Sequence, residues 1–166
     1  WTFDATQGER IVLAIGETGA DTAFVPWIRI LRPDNAAVVG NGAGGLATQI
    51  QLTAPVTGTY TVQVASNDNG FNDTGSYVLT LAKSPGAFSI SPGDDGGPLT
   101  NGSNHTGTIH VGDLDMWSFT AAAGEAIMLA IGEVGNDPSG FQPCIRLQRP
   151  PGADIESTSG VVAAQI

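Results

Sequence analysis

Three groups of carboxylates are the residues best suited to chemistry in this chain. Asp113 and Asp115 stand two apart in "GDLD", Asp94 and Asp95 are adjacent in "PGDDGGP", and Asp68 and Asp73 lie in the Asx-dense stretch "SNDNGFNDTG". All of them offer hard oxygen ligands, so Ca²⁺ is the cofactor they suit. Asp113 and Asp115 on a strand would share one face. Asp94 and Asp95 would bridge a flexible turn to a neighbouring domain. The Asp68–Asp73 stretch lacks both the spacing and the distal Glu of an EF-hand loop. Each group also reads without a metal, as side chains that cap turns and accept backbone N–H bonds.

The remaining reactive residues do not assemble into a catalytic set. His105 and His110 lie five apart with no third ligand at zinc spacing. Cys144, the single cysteine, excludes an intrachain disulfide, and it occupies the place that Trp27 holds in a related segment, which predicts a buried apolar position. "GNGAGG" is not followed by Lys-Ser/Thr, so it is not a phosphate loop. Asn72, Asn101 and Asn104 open the sequons "NDT", "NGS" and "NHT", which are candidate glycosylation sites in loops. The expectation is a protein that is not an enzyme.

The elements that must position these residues come from an internal repeat. "GERIVLAIGETGAD" begins at Gly8 and "GEAIMLAIGEVGND" at Gly124, an offset of 116. The offset becomes 117 after one insertion near Gly140, where "FVPWIRILRP" faces "FQPCIRLQRP". It returns to 116 where "ATQI" faces "AAQI", and about 23 of the 50 aligned positions are identical. Residues 117–166 therefore repeat residues 1–50, and the full period is about 116 residues. Glu9/Glu125, Glu17/Glu133, Arg29/Arg146 and Arg32/Arg149 recur in both copies. A charge that recurs in a repeat ties a turn or a junction, and Arg32 and Arg149 are the candidates for inter-repeat contacts. The chain reads as an excerpt of a longer tandem array.

Apolar residues alternate with period two in "TYTVQVA", in "SYVLTLA", at Ile11, Leu13 and Ile15, at Ile28 and Ile30, and at Ile109 and Val111. Turn signals punctuate them about every ten residues, and no segment carries a helical stripe. The expectation is an all-β fold of antiparallel β-sandwich repeats in tandem. Residues 1–83 form one repeat without its first strands, 84–104 a Pro/Gly/Asp-rich linker, and 105–166 the first half of the next repeat.

These residues resemble a known family. "HTGTIHVGDLDMWSFTAAAGEAIMLAIG" is similar to the opening of bacterial pre-peptidase C-terminal domains, with their GxI strand, GDxDxWxF segment and aGe turn. "PWIRILRPDNA" resembles the middle strand and turn of that family, and "APVTGTYTVQVASNDNGFNDTGSYVLTLA" its closing hairpin. Copy one lacks the GDLD segment, and copy two lacks the closing hairpin. The resemblance implies a jelly-roll-like sandwich on secreted or cell-surface bacterial proteins, accompanying proteases or built into tandem arrays, and not itself catalytic.

Composition limits the partners. A formal net charge of −10, with Lys83 the only lysine, repels phosphate backbones and excludes nucleic acid as a natural partner. An apolar content of 41% is too high for a disordered chain, and no apolar run approaches a membrane span. The expected function is a structural repeat of an extracellular filament, adhesin or matrix. Its partners would be neighbouring copies, through head-to-tail stacking or strand complementation. The alternative is a calcium-assisted accessory domain that binds an extracellular polymer or surface ligand for a secreted hydrolase.

Overall fold

The structure, a computed structural model, describes residues 1–19, 23–34, 37–70, 72–135, 140–150, 153–160 and 163–166. The described residues are all-β, and they divide into two compact units, Trp1–Phe119 and Thr120–Ile166.

Unit 1 places its apolar strands in two sheets. β1 (Thr2–Ala5), β3 (Pro26–Leu31), β4 (Val38–Ala43) and β6 (Gly58–Ser66) form a four-stranded antiparallel sheet in the order β1-β6-β3-β4. β2 (Arg10–Glu17), β5 (Ala47–Thr53) and β7 (Tyr77–Ser84) form a three-stranded antiparallel sheet in the order β5-β2-β7. The inward phase of each strand supplies the core: Ile11, Leu13 and Ile15 of β2, Ile28 and Ile30 of β3, Ile50 of β5, and Tyr60 and Val62 of β6. This arrangement is that of a β-sandwich, because alternation leaves each sheet one apolar face and the two faces bury each other.

Tyr60 closes one end of that core. Its ring is fully buried and stacks on Phe3 at 5.5 Å. Its hydroxyl donates to the Val56 carbonyl at 2.7 Å and accepts from the Val56 N–H at 3.3 Å. The only polar atom of a large buried side chain thus finds its partners on the adjacent turn.

Two short strands complete unit 1. β8 (Gly96–Pro98) pairs in parallel with β9 (Met116–Ser118), so part of the 84–104 stretch enters a ladder. Residues 107–111 take no strand conformation despite the alternation of Ile109 and Val111, which stay 46% and 43% exposed. No sheet edge pairs with them. Val111 and Gly112 instead cross β2 at Gly16, where a Cβ would overlap their backbone.

Unit 2 contains β10 (Ala130–Gly132), β11 (Cys144–Arg149), β12 (Ala153–Ser159) and β13 (Ala163–Gln165), in two antiparallel pairs, β10-β13 and β11-β12. Its ladders reproduce those of unit 1 residue for residue. Ala14 opposes Gln49 as Ala130 opposes Gln165, and Gly16 opposes Ala47 as Gly132 opposes Ala163. Ile28 opposes Gly42 as Ile145 opposes Thr158, and the register shifts after Ile30 as it does after Leu147. The turn entering β2 also recurs. Gly8 and Gly124 hold φ of 92° and 89°. Glu9 Oε2 accepts the Thr6 N–H at 2.7 Å, and Glu125 Oε2 accepts the Ala122 N–H at 2.6 Å.

The two units differ in what covers β2 and its counterpart. Ile11 is fully buried, whereas Ile127 is 38% exposed. In unit 1 β7 flanks β2 on the side away from β5; among the described residues of unit 2, β10 has β13 alone. Cys144 corrects the expectation of a buried site: it is exposed, and Trp27 is only half-buried. Both occupy the outward phase of their strands, out of register with the buried Ile28 and its neighbours.

Candidate functional site

The parallel pairing of β8 with β9 gathers the acidic residues. Gly96 opposes Met116, so the residues before them, Asp95 and Asp115, lie at the same end of the ladder. Asp113 comes in through the turn that its own N–H closes onto the His110 carbonyl at 3.0 Å. Asp94 comes in through a turn closed onto the Ser91 carbonyl, also at 3.0 Å. One carboxylate oxygen from each of Asp94, Asp113 and Asp115 lies within 4.8 Å of the others. The strand expected under Asp113 and Asp115 is absent, and a turn brings the pair together instead.

The carboxylates of this cluster are partly committed. Asp113 Oδ1 accepts the Leu114 N–H at 2.7 Å and Oδ2 the His110 N–H at 3.3 Å. Asp94 Oδ1 accepts the Asp95 N–H at 3.0 Å, and Asp95 Oδ2 accepts the Thr108 N–H at 2.8 Å. Asp115 is the exception, since its Oδ1 is shielded from solvent with no hydrogen-bond partner. Burial, then the charges of Asp113, Asp94 and Asp95, push its pKa up to about 6, with His110 working in the opposite direction. Such a group attracts a proton or a cation, and hard oxygen ligands at this spacing suit Ca²⁺.

Asp68 and Asp73 do not join this cluster. Asp68 Oδ2 accepts the Asn72 N–H at 2.9 Å, and this bond, helped by the Ser66 hydroxyl and opposed by desolvation, holds the carboxyl below its ordinary range. Asp73 is half-buried in the same loop. Phe71, the loop aromatic, lies outside the described residues. Arg32 pairs with Asp34 at 3.2 Å within its own turn, and Arg149 is exposed at the end of β11. Asn72, Asn101 and Asn104 are all exposed.

Other reactive and aromatic side chains among the described residues are engaged with neighbours. His105 packs edge-on against Trp117 at 5.2 Å and accepts the Thr100 N–H through Nε2 at 3.1 Å. The Arg29 guanidinium lies 4.8 Å above the Trp27 ring and covers that face. A shallow depression of about 250 Å³ beside Asp4, Glu9 and Lys83 is closed off chemically, because Lys83 donates to the Asp4 carbonyl at 2.6 Å and pairs with Glu9 at 3.6 Å.

No family model, curated protein or solved structure matches the chain. Function therefore rests on the geometry.

Glu17 is the residue that sequence reasoning placed wrongly in kind. It was expected to tie a turn or junction through its charge; it is 5% exposed, and neither carboxylate oxygen has a hydrogen-bond partner. The sequence carried the clue. Glu17 follows Ile11, Leu13 and Ile15 in the same inward phase, so a β2 that runs unbroken to its last residue must bury it.

Proposed function

We propose that the chain is a stretch of a non-catalytic structural array, built from antiparallel jelly-roll-like β-sandwich repeats of the pre-peptidase C-terminal type, about 116 residues each. The array belongs to a secreted or cell-surface protein and forms an extracellular filament, adhesin or matrix. One observation carries this reading. Two segments 116 to 117 residues apart share strand register, the position of a register shift, and the hydrogen bonds of a turn. Sequence similarity at fixed spacing combined with the same ladder is the signature of repeated modules. Identical modules in line make contacts that extend without closing. Neighbouring copies are the natural partners. Electron microscopy of the concentrated protein tests this directly. End-to-end chains or fibres are the expected result, and discrete monomers at every concentration would overturn it.

A second reading is favoured by the convergence of Asp94, Asp113 and Asp115. In it, calcium at this cluster stiffens the segment between the two copies, and the domain serves as an accessory module of a secreted hydrolase. Retention on collagen, chitin or cellulose that disappears on chelation would support it; no retention on any of them would count against it.

A further inference from the structure

β2 is buried on both faces, and the loop that crosses its outer face belongs by sequence to the other copy. Ile11, Leu13 and Ile15 face the core of unit 1, while Val12 and Ala14, in the opposite phase, are only 8% and 7% exposed. Gly16 continues that outer phase and is buried too. A Cβ on Gly16 would overlap the Val111 carbonyl and the Gly112 Cα, and a Cβ on Gly112 would overlap the Gly16 backbone in turn. Two glycines thus cross with no side chain between them, the close backbone approach that a glycine in a strand permits.

The crossing element is a preformed loop. The Asp113 N–H closes a turn onto the His110 carbonyl, with Val111 and Gly112 at its tip and Gly112 at φ 80°, the value a type II turn requires there. The Thr108 N–H reaches Asp95 Oδ2, and a Cβ on Gly107 would meet Asp115 Oδ2 at 2.6 Å, so the two stems of the loop lie side by side. Residues 105–116 precede Trp117, the counterpart of Trp1, and so open the second copy. By packing they belong to unit 1, which runs to Phe119.

Unit 2 carries the same receiving face. Met128, Ala130 and Gly132 are the counterparts of Val12, Ala14 and Gly16, and Gly132 opposes Ala163 as Gly16 opposes Ala47. All three are exposed, Met128 at 78%, whereas Leu129, Ile131 and Glu133 in the other phase are half-buried.

We propose that this outer face of β10 is a docking surface for the opening loop of a further copy of the repeat, the stretch equivalent to His105–Met116, set down with its Val-Gly tip on Gly132. The occupant is named by unit 1, where Gly16 receives this loop. The proposal rests on the array reading and deepens it: each module takes the opening loop of the module that follows, so neighbours share an element as well as a linker. The loop is held by its own hydrogen bonds, so docking it costs little ordering entropy.

Titration of the full chain with a synthetic peptide of residues 90–119, which carries the loop together with β8 and β9, tests the proposal, with amide chemical shifts locating the peptide. Saturable shifts are expected at residues 128–132. Gly132→Val puts a side chain where the tip must sit and is expected to weaken binding roughly tenfold or more. Met128→Asp, at an exposed position, is expected to do the same and serves if Gly132→Val does not fold. A dissociation constant above roughly 1 mM overturns the proposal. So do shifts confined to residues 12–16, which show the peptide only replacing the chain's own loop, or binding that survives both Gly132→Val and Met128→Asp. Each of these failures leaves the shared ladder registers, and the array read from them, standing with a different junction. Discrete monomers in electron microscopy with the peptide still bound at β10 remove the array and keep the surface.

Discussion

Replacement of Gly8 and of Gly124 by alanine tests the equivalence of the two copies at its sharpest point. Both glycines hold φ near +90°, and nothing lies within 4 Å of where a Cβ would stand. The substitutions therefore carry a backbone term with no steric term. An L-residue held in this region costs about 1–2 kcal/mol. Loss of unfolded-state freedom offsets that by about 0.4–1 kcal/mol, so the net cost is about 1 kcal/mol at each site. Gly45 is the control. It too has open space around its Cβ position, but its φ is not positive, so Gly45→Ala should be neutral or stabilising by about 0.4–1 kcal/mol. Thermal unfolding by circular dichroism should show losses of about 2–8 °C for Gly8→Ala. Amide exchange at Glu9 and Glu125, which bond to the Thr6 and Ala122 carbonyls, reads each turn separately. Faster exchange is expected at Glu9 in Gly8→Ala and at Glu125 in Gly124→Ala. If one substitution accelerates exchange at its own turn and the other leaves its turn untouched, the two turns are not the same device and the reasoning fails.

Three further outcomes are expected. Tyr60→Phe should cost about 1–3 kcal/mol in chemical denaturation, because the Val56 N–H and carbonyl lose their buried partner; a neutral result would mean water replaces the hydroxyl. Ile28→Ala should cost about 2–5 kcal/mol, since Ile28 is fully buried between the sheets; a loss below about 1 kcal/mol would show that the sheets do not pack as described. Asp115 binds its proton more tightly when folded, so its contribution to stability is fully present below the ordinary value of 3.8 and is lost as pH rises through about 6. Unfolding midpoints measured from pH 4 to 7 should therefore fall less steeply in Asp115→Asn than in the wild type, and identical profiles would refute the assignment.

The strands of unit 1 were legible because their alternation coincides with real ladders. Ile11, Leu13 and Ile15 sit in the core as their spacing requires. Ile109 and Val111 show the limit of that logic. The same alternation exists there, but a strand forms only when an edge accepts it, and nothing local to residues 107–111 encodes the edge. Asp94, Asp113 and Asp115 were each singled out from sequence, but their convergence depends on β8 meeting β9 in parallel, a pairing of two glycines with a Met-Trp segment that no pattern announces. Trp27 and Cys144 misled for a related reason. Exchange of one apolar side chain for another was read as burial, whereas the outward phase of β3 and β11 makes the position permissive.

The single-residue changes of offset show where two segments with the same ladder can differ. Trp27 to Cys144 is a step of 117, yet Ala43 and Ser159, the residues that oppose them, are 116 apart. One residue was gained before β11 and one was lost between β11 and β12, while every cross-strand partner stayed the same. Length is therefore negotiable in the connections and fixed in the ladders. The connections are the places where one segment can differ from its counterpart, or where a foreign peptide can be grafted, without disturbing the cross-strand pairing.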